Sequence, residues 1–311
     1  MKNLFLASVL LLSMAAAFVS CGSDDATPAP IVEVYAEAST ENPYSFTFST
    51  IDQYVKEYHW DFDDGSTSLE KSPTHTYEQS GEYTISVTAK GDGGETVATK
   101  QIEILASIEE LLSGGAAMPN GKTWVMSTTA NTGTDGVSNK VAEPLTSGDI
   151  AFPPTDNLLA LIGLGDEYDN LYTFKHDGNY SIDFVNGICI AGYMYTALNG
   201  LDEASSPGNG LATINHTEPT SASWTLEKGV DLSIEAANEV NGGIEQVTVN
   251  FENVDVITFN NGGFIGLLDY TPKAIIREIS STRLSLTLFL HGVLDHPTKP
   301  SNLITITFDA Q

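Results

Sequence analysis

Tyr58-His59-Trp60-Asp61-Phe62-Asp63-Asp64-Gly65 reads as an aromatic strand running into an Asp-Asp-Gly turn. Gly accepts the positive φ such a turn needs, and Asp can hydrogen-bond back onto its own backbone. Downstream, Tyr83, Ile85, Val87 and Ala89 place an apolar residue at every second position. That period marks a strand with one face in a core. Ile31 to Tyr35, Tyr44 to Phe48 and Val97 to Ile104 supply further strand candidates around it. Short strands between Gly, Asp and Ser turns, from Ile31 to Leu105, suit a small β-sandwich. Asp61, Asp63 and Asp64 do not form an EF-hand loop, because its sixth and twelfth places fall on Ser66 and Ser72. Turn chemistry accounts for them.

With Pro73-Thr74-His75-Thr76-Tyr77 and Gly81-Glu82-Tyr83-Thr84-Ile85-Ser86-Val87, this stretch resembles the signature of the PKD domain, W-D-F-G-D-G followed by H-x-Y and G-x-Y-x-V. The resemblance covers about a quarter of the chain and implies an immunoglobulin-like β-sandwich at residues 31–105. It implies a spacer or contact module on an exported protein. Asp63 stands where the family usually has Gly, so the turn before Asp64 is expected to be altered.

The N-terminus points to export. Lys2 precedes the apolar run Leu4 to Val19, too short for a comfortable membrane span and read as a signal peptide over residues 1–20. Phe18-Val19-Ser20-Cys21 resembles a bacterial lipobox, which implies lipidation of Cys21 and an outer-membrane anchor. Asp24 and Asp25 resemble the surface-export signal of Bacteroidota lipoproteins, and a solvated tether is the plainer alternative. Pro28 and Pro30 stiffen the linker that ends at residue 30.

The formal net charge of −28 makes nucleic acid and anionic lipid poor partners, and a neutral polysaccharide a better one than an anionic polymer. With Cys21 carrying lipid, Cys189 is left alone in an apolar run, Gly187 to Ala191, and reads as a buried structural thiol.

Residues 106–311 read as β-rich, fitting one large jelly-roll-like sandwich, with two small sandwiches as the alternative. Ser107 and Gly114-Gly115 bracket a short helix, and Tyr172 to Tyr180 is a hairpin around Asp177-Gly178. Ser127 to Asn170 is a long stretch rich in Gly, Thr, Asn, Pro and Asp, a length that is usually functional or disordered. Within it, Asp166, Glu167 and Asp169 suit a hard cation, so the sequence requires no cofactor but admits a structural calcium; a solvated acidic turn is the alternative.

Catalysis is not expected. Retaining laminarinase-type hydrolases carry E-x-D-x-x-E, and Tyr172 replaces the second glutamate of Glu167-Tyr168-Asp169. No G-x-S-x-G or H-E-x-x-H is present, and His176, His216, His291 and His296 are scattered. Aromatic planes offer another route, because sugar rings present an apolar C–H face. The candidates are Phe152, Tyr168, Tyr193 and Tyr195, with Tyr193 and Tyr195 sharing a strand face, and Trp124 and Trp224, which core packing also explains.

Lys122-Thr123-Trp124-Val125, the hairpin at 172–180 and the strands around Ile275 to Phe289 resemble the C-terminal domain of Bacteroidota lipoproteins in the SusE position of polysaccharide utilisation systems. The resemblance implies a surface lipoprotein that captures glycan without turnover and hands it to a SusC/SusD-like complex. A carbohydrate-active hydrolase or lyase, and a structural or adhesive surface protein, are the competing readings.

Overall fold

The computed structural model describes residues 27–161, 163–206, 210–240 and 242–311. Cys21, Asp24 and Asp25 lie outside the described residues. The chain divides into two compact units, the second running from Glu103 to Gln311 and taking in 76–82. No helix among the described residues is long and apolar enough to cross a membrane.

The N-terminal unit contains strands β1 (Ile31–Ala38), β2 (Ser45–Gln53), β3 (Glu57–Asp61), β4 (Thr67–Ser68), β5 (Thr74–Thr76), β6 (Gly81–Gly91) and β7 (Gly94–Ile104). They form two sheets, β1-β2-β5 and β4-β3-β6-β7. Phe48 of the first meets Trp60 of the second at 5.9 Å between ring centroids, so the sheets pack face to face. Ile85, Val87 and Ala89 are fully buried beside them, as their alternation requires. The Trp60 indole N–H donates to the Glu70 carbonyl (2.9 Å), which satisfies the polar end of a buried ring.

Asp63 adopts φ 65°, the left-handed conformation Gly would take. Its backbone N–H donates to Asp61 Oδ1 (2.9 Å), and its own Oδ2 accepts from the Thr84 N–H (2.8 Å). The turn therefore survives the departure from Gly, because local hydrogen bonds hold Asp in αL. Asp64 Oδ1 accepts from the Ser66 N–H, and its Oδ2 lies 2.6 Å from His75 Nε2.

The second unit holds α1 (Ile108–Ser113), β8 (Lys122–Met126), β9 (Gly136–Ser138), β10 (Ile150–Phe152), α2 (Leu158–Leu161), β11 (Leu171–Phe174), β12 (Tyr180–Asp183) and β13 (Ile188–Gly192). It continues with α3 (Tyr193–Asn199), β14 (Glu203–Ser205), β15 (Leu211–Asn215), β16 (Ser223–Val240), β17 (Gly243–Asn260), β18 (Lys273–Ile279), β19 (Arg283–Leu290) and β20 (Asn302–Ala310). Helix α1 starts where Ser107 Oγ accepts from the Glu110 N–H and ends at Gly114 in αL, as its sequence signals indicate.

The larger β-sandwich is built mainly from one sheet, in the order β12-β11-β8-β20-β19-β18-β17-β16, with β9 and β10 attached at β20. Consecutive strands from β16 to β20 are neighbours, as in a meander. The sheet curls until its ends touch at the bridge between Asn179 and Ser223, where the Trp224 N–H donates to the Gly178 carbonyl (2.9 Å). Phe174 on β11 consequently meets Phe259 on β17 across the core at 6.0 Å. Trp124, Tyr172, Phe174, Tyr180, Trp224 and Phe308 fill the interior. A small sheet, β13-β15-β14, packs Cys189, Ile190 and Leu211 into the same core.

The hairpin β16–β17 is longer than the sheet it belongs to. Register shifts between Glu227 and Leu232 bend it. Its far half lays Ile234, Ala236 and Phe251 over Ile275, Phe289 and Leu303, closing a second small core that also holds Val141.

Candidate functional site

The segment between β8 and β11 is the long stretch singled out in the sequence, and the structure orders it as one wall of a cavity. Its two limbs are tied together: the Asn157 N–H donates to the Thr128 carbonyl (2.8 Å), and the Ala130 N–H donates to Asp156 Oδ1 (2.9 Å). Farther along, Asn238 on β16 clamps Val141, accepting from its N–H (2.9 Å) and donating to its carbonyl (2.7 Å). Strands β9 and β10 pair within the segment, and β9 joins β20.

The cavity these ties create measures about 60 Å³. Val137, Pro154, Leu158 and Leu159 form its wall from the segment; Ile304 and Ile306 of β20 form its floor; Ile190, Leu211 and Leu267 close the far side. Two ionisable groups border it, Tyr168 and Asp135. The Tyr168 hydroxyl oxygen accepts from the Leu159 N–H (3.1 Å), and burial holds its proton more tightly than in water. Asp135 accepts from the Asn131 N–H (2.9 Å) and the Thr307 hydroxyl (2.8 Å), yet burial outweighs these bonds and raises its pKa above the usual carboxylate range. Concave, mostly apolar pockets with a few polar groups are the usual form of a ligand site.

The sequence-derived candidates separate. Phe152, at the end of β10, is 41% exposed and borders the cavity: its carbonyl lies 2.9 Å from where a Cβ on Gly136, a lining residue, would sit. Tyr168 is half-buried at the cavity itself. Trp124 and Trp224 offer no face to a ligand, being 0% and 6% exposed, with indole N–H groups donating to the carbonyls of Leu112 and Lys175. Their strand faces turn inward to the core. Tyr193 and Tyr195 are not on a strand: they begin helix α3, where residues two apart point about 200° apart. Tyr193 is 44% exposed, whereas Tyr195 packs edge-on against Tyr270 at 4.9 Å between centroids.

Of the acidic turn, the two described carboxylates lie in different surroundings. Glu167 is 1% exposed and accepts a hydrogen bond from the Thr213 hydroxyl, while Asp169 faces solvent. The side chain of Asp166 lies outside what the structure describes. Among the described residues no group of three His, Cys, Asp or Glu side chains is placed to hold a metal ion. Cys189 is buried on β13, and burial, with the charge of Glu167 nearby, raises its thiol pKa far above that of a free cysteine.

The sequence reading missed Leu158, Leu159, Asp135 and Ile190. The apolar run Leu158-Leu159-Ala160-Leu161, isolated in a polar stretch, was the one signal that could have shown a buried wall.

A family model described as PKD domain matches residues 27–105. Residues 27–105 are a PKD domain. Among solved structures, the PKD1 domain of Vibrio anguillarum Epp is 24% identical, with 26% of this chain and 98% of that chain covered and a TM-score of 0.24. The PKD1 domain from the Vibrio cholerae metalloprotease PrtV is likewise 24% identical, covering 25% and 98%, at 0.23. A structure described as explaining the promiscuous specificity of carbohydrate-binding modules from the β-sandwich superfamily is 12% identical over 91% of this chain and 92% of that one, at 0.24. Scores this low say nothing about what this chain binds.

Proposed function

We propose that this chain is a non-catalytic surface lipoprotein whose C-terminal domain holds a polysaccharide, with the PKD domain as spacer. The observation that supports the reading is a small, mostly apolar cavity with a few polar groups, Tyr168 and Asp135 among them, with the backbone of the exposed Phe152 beside its lining residue Gly136. A hydrolase would need two carboxylates flanking one sugar bond. Here Glu167 is buried against Thr213 and Asp135 is engaged by Thr307 and Asn131. The net charge of −28 favours a neutral glycan over an anionic one. Lipidation of Cys21 would anchor the protein in the outer membrane, and a SusC/SusD-like complex would receive the glycan.

Retardation of residues 22–311 in native gels cast with neutral and anionic polysaccharides, with and without EDTA, tests the proposal. Selective retardation by a neutral polymer without release of reducing sugar is expected. Sugar release would establish an enzyme instead, and free migration through every polymer would remove the glycan reading.

A further inference from the structure

We propose that the cavity between the 127–170 segment and β20 receives an acetyl substituent of the bound sugar, with Tyr168 donating a hydrogen bond to its carbonyl oxygen. This rests on the polysaccharide reading and narrows it to acetylated neutral sugars.

Size sets the first limit. A cavity of roughly 150 Å³ lined by aliphatic side chains takes a benzene molecule, six heavy atoms. The 60 Å³ here takes about two to three, far short of a sugar ring or an acyl chain. An acetyl group is that size. The lining sets the second. Leu158, Leu159, Leu211, Ile304 and Ile306 suit a methyl group, and the polar lining groups, Asp135 among them, stand beside this apolar surface.

Hydrogen-bond capacity sets the third. The Tyr168 oxygen already accepts from the Leu159 N–H, which fixes the ring. Its own proton has no acceptor among the described residues. A tyrosine hydroxyl is both donor and acceptor, so what it still seeks is a carbonyl or ether oxygen. An acetyl group brings a methyl for the cavity and an oxygen for the hydroxyl on adjacent atoms. A 6-deoxy sugar brings only the methyl, and an unsubstituted hexose brings neither. Phe152 is exposed and its backbone lies beside Gly136 of the cavity lining, which makes its ring the nearest candidate to contact the sugar that carries the substituent.

Two oligosaccharides sharing a β-1,4-linked glucose-type backbone make the test, N,N′-acetylated chitohexaose and cellohexaose. Each is titrated against residues 22–311, which keep every described residue, and followed by saturation-transfer NMR. The expected result is at least tenfold tighter binding of chitohexaose, with the strongest saturation at its acetyl methyl protons. Tyr168→Phe should cut that preference about tenfold. Leu159→Met, which lengthens a lining side chain while staying apolar, should lower acetyl-methyl saturation without unfolding the domain. Equal binding of both oligosaccharides, with saturation on ring protons, would overturn the acetyl inference and leave the glycan reading in place. Failure of both, together with free migration in all polysaccharide gels, would overturn the two together.

Discussion

Replacing Asn238 with Ala should destabilise the C-terminal domain by about 3 kcal/mol. Asn238 is buried on β16 and makes both of its amide bonds to the backbone of Val141, which is itself fully buried. Truncation deletes two hydrogen bonds, each worth a net ~0.5–1.5 kcal/mol. It also leaves a buried N–H and C=O on Val141 without partners, and each such group costs ~1–3 kcal/mol. The terms overlap, so their sum is best taken near the middle of the range. For a domain of this length ~3 kcal/mol lowers Tm by about 6–12 °C. Scanning calorimetry of the chain from residue 22 measures it, with Glu239→Ala as the control, since Glu239 is the exposed neighbour on the same strand. A Tm within about 2 °C of the parent would refute the clamp and mean that water reaches Val141. The consequence is functional as well, because Val141 belongs to the segment that walls the cavity, and a loosened segment should bind glycan more weakly.

Phe152→Ala should weaken retardation by a bound polysaccharide about fivefold, the loss of ~1 kcal/mol of ring contact, without lowering Tm, because the ring is exposed. Unchanged retardation would place the glycan elsewhere. The Asp149 carboxyl should titrate at about 2 in carboxyl-detected NMR, held down by Lys140 Nζ, the Thr146 hydroxyl and the Thr146 N–H. Its folded pKa lies below the unfolded value of 3.8, so the stability it contributes is present above that value and is lost as pH falls toward 2. Lys140→Met should move the titration back up, and no movement would discount the ion pair. Cys189 should resist a thiol reagent in the native protein and react only on unfolding, since it is buried and its thiolate is disfavoured. Rapid native labelling would contradict its place on β13.

What the sequence revealed followed the range of each signal. The PKD domain was legible because its information is local: an aromatic strand, an Asp-Gly turn and a period of two lie within thirty residues of each other (Tyr58 to Val87). Even the departure at Asp63 is settled nearby, by Asp61 and Thr84. In the C-terminal domain the individual strands were legible for the same reason, but their closure was not. It depends on Asn179 meeting Ser223, which no local pattern encodes. In β16 and β17, Lys228-Gly229 and Glu252-Asn253 carry turn-like residues inside the strands. The chain instead continues through register shifts. The apolar run before Tyr193 and Tyr195 suggests that the strand continues through them. The stop signal Asn199-Gly200, with Gly200 in αL bonded to the Thr196 carbonyl, was the evidence for a helix.

On the proposed glycan reading, the burial of Trp124 and Trp224 excludes both as contact surfaces. Small barrels either hold a ligand inside or fill the interior with side chains. Here Trp124, Tyr172, Phe174, Tyr180, Trp224, Phe259 and Phe308 occupy the inside, and their edge-to-face contacts, such as Phe174 against Trp224 at 5.3 Å, leave no space for a guest. A close-packed interior of this kind resists deformation, so a ligand cannot make room there at modest cost. On that reading the polymer would lie on the outer surface, where it need not thread the fold. On the same reading, the cavity beside Tyr168 would sense a substituent of a chain held outside. Affinity for the polymer and preference for its substituent should accordingly separate by mutation, Phe152 governing the first and Tyr168 the second.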